Sequence, residues 1–294
     1  MLSKLSVLRL FSERTLFSSL RHFSFMIIAH TPDADDAFMF YGLFQGKIQT
    51  TLEIEQLVED IETLNKRAFT GELDVTALSS HAYAFLHKKY RILATGASVG
   101  DGYGPVVVAR SERDLAGKRI AVPGRYTTAN LLLKLALTEF QPVEMRFDEI
   151  IPAVTRGDVD AGLLIHEGQI TYAQHGLAKV LDLWEWWYGR TRLPLPLGIN
   201  VIKRELSEET QRAFLAAMRA SVRYALEHVD EAMQHAMTYA RGADAALVKK
   251  FALMYVNEYT YEMPEAVVRA HAELYRLAEL RGFFTQPPLD ILFP

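Results

Sequence analysis

From Met26 to about residue 166, short apolar runs alternate with stretches of helical periodicity, and this alternation confines the chain to α/β architectures. Met26–His30 reads as a buried strand, Thr31–Asp36 as a polar turn, and Asp36 as the N-cap of a helix over Ala37–Gln45. Strand Leu52–Val58, helix Glu59–Thr70, strand Leu73–Ala77 and helix Ser79–Lys88 are expected next, then strands at Tyr90–Thr95, Pro105–Ala109 and Arg119–Val122. The last of these leads through Pro123-Gly124 into a helix from Thr127 to Glu139. Strands at Val143–Arg146 and Ala161–His166 flank a helix over Glu149–Arg156, and an aromatic-rich segment runs on to Asn200. The last third is helical: Ser207 caps a helix whose Phe214, Met218, Val222 and Leu226 step by four and form one apolar stripe. No G-x-G-x-x-G or P-loop spacing opens a helix after a strand, so nucleotide binding has no local support.

The 294 residues are 50% apolar, enough for a large core, and the length favours two domains over one. The formal charge of −4 argues against a nucleic-acid partner. There is no cysteine, which removes disulfides, thiolate nucleophiles, Fe–S clusters and Cys-ligated zinc together. Chemistry then falls to His, carboxylates, hydroxyls and backbone dipoles. No apolar run approaches the ~18–20 residues of a membrane-spanning helix, and a soluble protein with no membrane partner is expected. Residues 1–25 differ from the rest, with Lys4, Arg9, Arg14 and Arg21 against Glu13. They are expected to be extraneous to the functional chain, either translated from a start upstream of Met26 or forming a presequence.

Four places can carry chemistry. The Thr31–Asp36 turn holds Asp33, Asp35 and Asp36; it lacks the glycine and the bidentate Glu of an EF-hand loop, so a helix-capping turn is the plainer reading. His30 either faces a cleft beyond its strand or is simply packed. Ser79-Ser80 and Thr127-Thr128 each follow a strand and open a helix, where hydroxyls and unpaired N–H groups hold a carboxylate or merely cap. His166 ends the apolar run Gly162–Ile165, with Glu167 next, and is either a general base or a hydrogen-bonded structural histidine. Trp184, Trp186, Trp187 and Tyr188 form either an aryl-binding wall or a packed connection.

Six segments occur in order: Pro32-Asp-Ala-Asp-Asp-Ala-Phe-Met-Phe40, Glu59-Asp-Ile-Glu-Thr-Leu-Asn65, Gly102-Tyr-Gly-Pro-Val-Val-Val-Ala109, Ala121-Val-Pro-Gly-Arg-Tyr-Thr-Thr-Ala129, Ala161-Gly-Leu-Leu-Ile-His-Glu167 and Leu193-Pro-Leu-Pro-Leu-Gly198. Over residues 26 to 285 they resemble the family that forms 1,4-dihydroxy-6-naphthoate in the futalosine route to menaquinone. The resemblance implies an α/β, two-lobed fold like the type II periplasmic binding proteins, with mixed sheets flanked by helices and a cleft between the lobes. Residues 26–110 and 203–294 would form one lobe and residues 111–202 the other. It further implies a cytoplasmic carbon–carbon lyase whose small-molecule substrate, cyclic dehypoxanthinylfutalosine, is a carboxylated aromatic bicycle bearing a sugar-derived ring. The family's catalytic histidine falls on His166, which would remove a proton and start the fragmentation. Its substrate contacts fall on Ala77, Leu78 and Ser79 and on Thr127 and Thr128. Aromatisation drives the reaction, so neither metal nor cofactor is implied. Many relatives have Pro-Asn-Asp in place of Ala34-Asp35-Asp36 and Gly in place of Arg192. The alternatives are chorismate dehydratase, against which Ile165-His166-Glu167 argues, and a non-catalytic solute-binding protein, which would need an export signal or a cysteine for a lipid anchor. Oligomeric state and the roles of Asp33, Asp35, Asp36 and Glu167 stay open.

Overall fold

The computed structural model describes residues 25–111, 114–239 and 245–294; the basic segment through residue 24 lies outside the described residues. Two mixed sheets organise the chain. The first is begun by β1 (Met26–His30), β2 (Ile54–Val58), β3 (Val75–Ser79), β4 (Tyr90–Leu93) and β5 (Ser98–Gly100), with β1 parallel to both β2 and β3. The chain then crosses to the second sheet, built from β6 (Val106–Ala109), β7 (Arg119–Val122), β8 (Gln141–Glu144), β9 (Ala161–Leu164) and β10 (Ala178–Asp182) in the order β10-β6-β9-β7-β8. It returns through β11 (Leu195–Lys203), antiparallel to β3, β4 and β5, and ends on β12 (Ile291–Leu292), parallel to β4. The first sheet therefore reads β12-β4-β11-β3-β1-β2, with β5 on β11. Two crossings, β5 to β6 and β10 to β11, join the sheets.

The turn after β1 departs from the sequence expectation. Its helix starts at Ala34, three residues early, and Asp33 in the N-cap position makes no side-chain capping bond. Asp36 folds back instead and accepts from the Thr31 backbone N and Oγ1, both at 2.7 Å. A carboxylate that satisfies the donors left at the end of β1 closes the turn itself, so no separate capping turn is needed.

The returning helices complete the first core. Ser207 caps the helix Glu208–Glu227, accepting from Thr210 N at 3.1 Å, and Phe214, Met218 and Val222 are fully buried in the same cluster as Phe38 and Met39, with Leu226 half-buried at its edge. Ser221 Oγ accepts from Leu43 N and donates to the Met39 carbonyl, bridging the break between the short helices Ala34–Met39 and Tyr41–Phe44. A Cβ on Gly42 would lie 2.9 Å from Ser221 Cα, so these helices meet backbone to backbone.

The aromatic-rich segment is regular structure that its composition concealed: β10, the helix Leu183–Thr191, and the first half of β11. Arg192 ends that helix at φ 56, the left-handed conformation in which glycine carries no steric cost. Pro196 sits at the register shift of β11 against β5, where a strand tolerates a residue without an N–H. No helix among the described residues is long and apolar enough to cross a membrane.

In the second sheet the helix Phe147–Arg156 lies directly on β9. A Cβ on Gly162 would come within 2.4 Å of Ile150 Cγ2 and 2.8 Å of Val154 Cγ2. Because β9 runs on toward His166, this contact sets where that residue emerges. Gly162→Val overfills the contact and is expected to lower unfolding stability by about 1–3 kcal/mol in urea titrations. An unchanged midpoint would mean the helix is not seated on the strand.

Candidate functional site

A cleft of about 700 Å³, partly open to solvent, lies where the carboxyl ends of β1 and β3 face the start of the helix Thr128–Ala136 and the turn after β9. Ala77, Leu78, Ser79, Thr127, Thr128 and His166, the positions singled out from sequence, all line it. So do Asp33, Asp35 and Asp36 from the turn after β1.

His166 occupies an unusual position. β9 ends at Leu164, two residues earlier than expected, and His166 takes φ 54, uncommon for a residue with a Cβ and often met at functional sites. The turn places its Nδ1 at 3.1 Å from Asp33 Oδ2, with the ring edge-on to Phe147 at 4.8 Å. Asp33, 1% exposed, comes from the first sheet and His166 from the second, so the pair spans the cleft. A carboxylate can only accept, so the Asp33 carboxylate beside Nδ1 favours the tautomer with the ring proton on Nδ1. Nε2 then carries the lone pair; it is buried and meets no partner in the protein, on a residue that lines the cleft. This is the arrangement of an oriented base. Gln169 braces it: with its amide nitrogen donating to the Gly104 carbonyl, its oxygen accepts from the His166 backbone N and from Tyr255 Oη.

His30 is the packed histidine. It is fully buried, bonded to the Thr31 carbonyl at 2.8 Å and to Gln56 at 2.7 Å, and stacked on Phe40 and Phe44. Burial pushes its pKa down despite the neighbouring Asp36. Asp35 is shifted the other way: burial, then the charges of Asp36, Asp33 and Glu167, hold its carboxyl well above the usual carboxylate range. Asp36 is raised by burial and partly restored by His30 and its Thr31 bonds. Among the described residues no group of three or more His, Asp or Glu is disposed to hold a metal ion.

The two hydroxyl pairs differ in what they present. Ser79 lines the cleft and is fixed through Asn65, which donates to its Oγ at 3.0 Å and accepts from its backbone N at 2.9 Å. Ser80 turns away and pairs with the buried His271 at 3.1 Å. Thr127 Oγ1 caps its helix by accepting from Asn130 N. Thr128 Oγ1 accepts from His81 N and donates to the Leu197 carbonyl, joining both helix starts to β11.

The helix Ile61–Ala68 grips the opposing wall: Glu62 accepts from Tyr126 N at 3.1 Å and Lys66 meets Glu144 at 2.7 Å. Gly124 permits this, because a Cβ there would lie 2.4 Å from Glu62 Cδ. Ile61, Ile165, Leu197, Phe251 and Tyr255 supply the apolar walls. The tryptophans supply none of them: Trp187 is fully buried and donates to the Leu193 and Pro194 carbonyls, so the packed-connection reading holds. Sequence reasoning did not find Asp33 as the histidine's partner, nor Asn200, Gln169 and Tyr255. Each reaches the cleft from a segment remote from His166 or, for Gln169, from the short helix Gly168–Thr171, and no local pattern marks them.

The family model described as menaquinone biosynthesis matches residues 26–280. A Thermus thermophilus protein described as 1,4-dihydroxy-6-naphthoate synthase is 42% identical over 262 residues, 89% of this chain and 96% of that one. One so described from Streptomyces coelicolor is 34% identical over 91% of this chain and 94% of its own length. Among solved structures, an Archaeoglobus fulgidus protein is 64% identical with a TM-score of 0.86, covering 88% of this chain and 98% of that one. The Escherichia coli periplasmic aliphatic sulphonate binding protein aligns at a TM-score of 0.64 over 92% of each chain with 13% identity, a likeness of fold alone. The fold is thus the two-lobed, periplasmic-binding-protein-like α/β arrangement of mixed sheets flanked by helices.

The raised pKa of Asp35 makes a stability prediction. Its carboxyl keeps a proton to higher pH in the native state than in the unfolded chain, so this residue's contribution is fully present below the unfolded value and is lost as pH rises through the folded one. Asp35→Asn is expected to raise Tm at pH 8, with the gain closing as pH falls toward 4. A constant difference across that range would show that Asp35 is charged in the native state.

Proposed function

Because the chain belongs to the menaquinone-biosynthesis family and is an enzyme of that pathway, we propose that it acts in the cytoplasm as a carbon–carbon lyase on a small carboxylated aromatic molecule, converting cyclic dehypoxanthinylfutalosine to 1,4-dihydroxy-6-naphthoate. The observation that carries this reading is the His166–Asp33 pair on a residue that lines the cleft, with Nε2 buried and without a partner in the protein. A protein that only binds a solute has no use for an oriented base; an enzyme that begins by removing a proton needs one.

In this reading the substrate carboxylate lies toward Ser79, Thr127 and Thr128, where the helix Thr128–Ala136 offers its free N–H groups and the positive end of its dipole. The apolar walls at Ile61, Ile165, Leu197 and Phe251 take the aromatic bicycle. His166 Nε2 accepts the proton, and Asp33 stabilises the imidazolium that forms while holding the ring in place. Loss of that proton starts the breakage of the carbon–carbon bond to the sugar-derived part, and the ring that remains becomes aromatic. The chain's groups bind, orient and hold the proton. Asp33 and Ser79 come from the first sheet, Thr127 and His166 from the second, so the site is built across the two sheets.

Incubation with cyclic dehypoxanthinylfutalosine and mass spectrometry of the product tests the reaction. His166→Asn is expected to reduce turnover by roughly 10²–10⁴-fold with substrate binding retained; retention of more than about a tenth of the rate would sink the assignment of His166 as the base. Asp33→Asn removes the carboxylate charge that faces Nδ1 and stabilises the imidazolium, and should lower kcat by roughly 10–100-fold with little change in KM. An equal rise in KM with unchanged kcat would instead make Asp33 a binding residue.

A further inference from the structure

The base uses one of the cleft's unpartnered polar atoms and leaves others unused. Asp35 Oδ1 and Asn200 Oδ1 are buried, meet no hydrogen-bond partner in the protein, and belong to residues that line the same cleft as His166. A buried acceptor left unpaired is unfavourable, and where it faces a binding cavity the donor it lacks is one that a ligand brings.

The orientation of Asn200 is fixed. Its Nδ2 donates to the Gly96 carbonyl at 2.9 Å, and since only the amide nitrogen can serve a carbonyl, Oδ1 is left facing elsewhere. Gly96, at φ +91, allows that approach, because a Cβ there would lie 2.6 Å from Asn200 Nδ2. Asn200 is 2% exposed and stands on β11 directly opposite Ala77 of β3, inside the wall that sequence resemblance assigned to substrate contact.

Asp35 is 8% exposed, with Asp33, Asp36 and Glu167 as charged neighbours and the Tyr103 and Tyr255 hydroxyls also within electrostatic reach. Burial among like charges raises its pKa well above the usual carboxylate range and so favours the protonated form, which offers both an acceptor and a donor. Carboxylates and an amide oxygen repel an anion, which directs the substrate carboxylate to the helix starts and leaves this part of the cleft for neutral groups that donate. Hydroxyls fit; the aromatic bicycle does not.

We propose that Asp35 and Asn200 form a hydroxyl-recognition subsite for the sugar-derived ring of the substrate, and so favour substrate over the product that has lost that ring. The proposal rests on the function assigned above. Its test measures affinities of the full chain carrying His166→Asn, which slows turnover, for cyclic dehypoxanthinylfutalosine and for 1,4-dihydroxy-6-naphthoate. Adding Asn200→Leu or Asp35→Leu is expected to weaken substrate binding by roughly tenfold to a hundredfold, with product binding changed less than about twofold. Asp35→Asn, which restores a neutral donor and acceptor, should recover most of the affinity lost in Asp35→Leu. Product binding also reports that each variant is folded. Parallel losses for both compounds, or no loss for either, would overturn the subsite. A His166→Asn chain that binds neither compound overturns the functional reading itself, and the subsite with it.

Discussion

A carboxylate from the turn after the first strand of one sheet meets an imidazole from the turn after β9 of the other, at 3.1 Å, and the rest of the cleft is arranged so that this contact forms. The demands on both sides are specific. Asp33 gives up helix capping, which leaves Asp36 to close its turn. His166 adopts a left-handed backbone, braced by Gln169 and by Phe147 against its ring. Neither residue alone orients a base; together they hold a ring whose Nε2 is buried and without a partner in the protein, so that its direction is fixed.

Around this contact the electrostatics are crowded. Asp33, Asp35, Asp36 and Glu167 lie close enough to raise the pKa of Asp35, and burial adds to the effect. The molecule accommodates them unequally: Asp33 faces the imidazole, Asp36 takes the Thr31 donors, and Asp35 has its pKa raised well above the usual carboxylate range. Glu62, buried against the opposing wall, accepts from Tyr126 N, and the exposed Lys66–Glu144 pair lies beside it. Exposed pairs of that kind contribute at most about 1 kcal/mol, so the grip rests on the buried carboxylate and on the close approach at Gly124 rather than on the surface charges.

Most of the framework was legible because it is periodic. The buried strands β1, β3, β4, β6, β7 and β9 and the apolar stripe of Phe214, Met218 and Val222 are local patterns that burial then satisfies, whereas the short β5 gave no such pattern and β8 lies two residues before its expected place. The segment between Leu177 and Lys203 was not legible: tryptophans and prolines obscure both periods, and only pairing with β6 and with β3, β4 and β5 makes β10 and β11 strands. The end of β9 was misjudged for a related reason. Apolar character continues through Ile165, but the backbone must turn at His166 to reach a partner in the other sheet.

The sequence by itself determined the α/β class, the helix starts at Ser79-Ser80 and Thr127-Thr128, and the presence of one histidine at the exit of a buried strand, because these follow from propensity and periodicity over a few neighbouring residues. Tertiary structure alone decided which of three aspartates serves that histidine, that Ser79 and not Ser80 faces the cleft, and that the tryptophans pack while Phe251 and Tyr255 line the wall. Those choices depend on distances between segments more than a hundred residues apart, such as Asp33 and His166. Such distances are set by how two sheets close on each other, a property that no local pattern encodes.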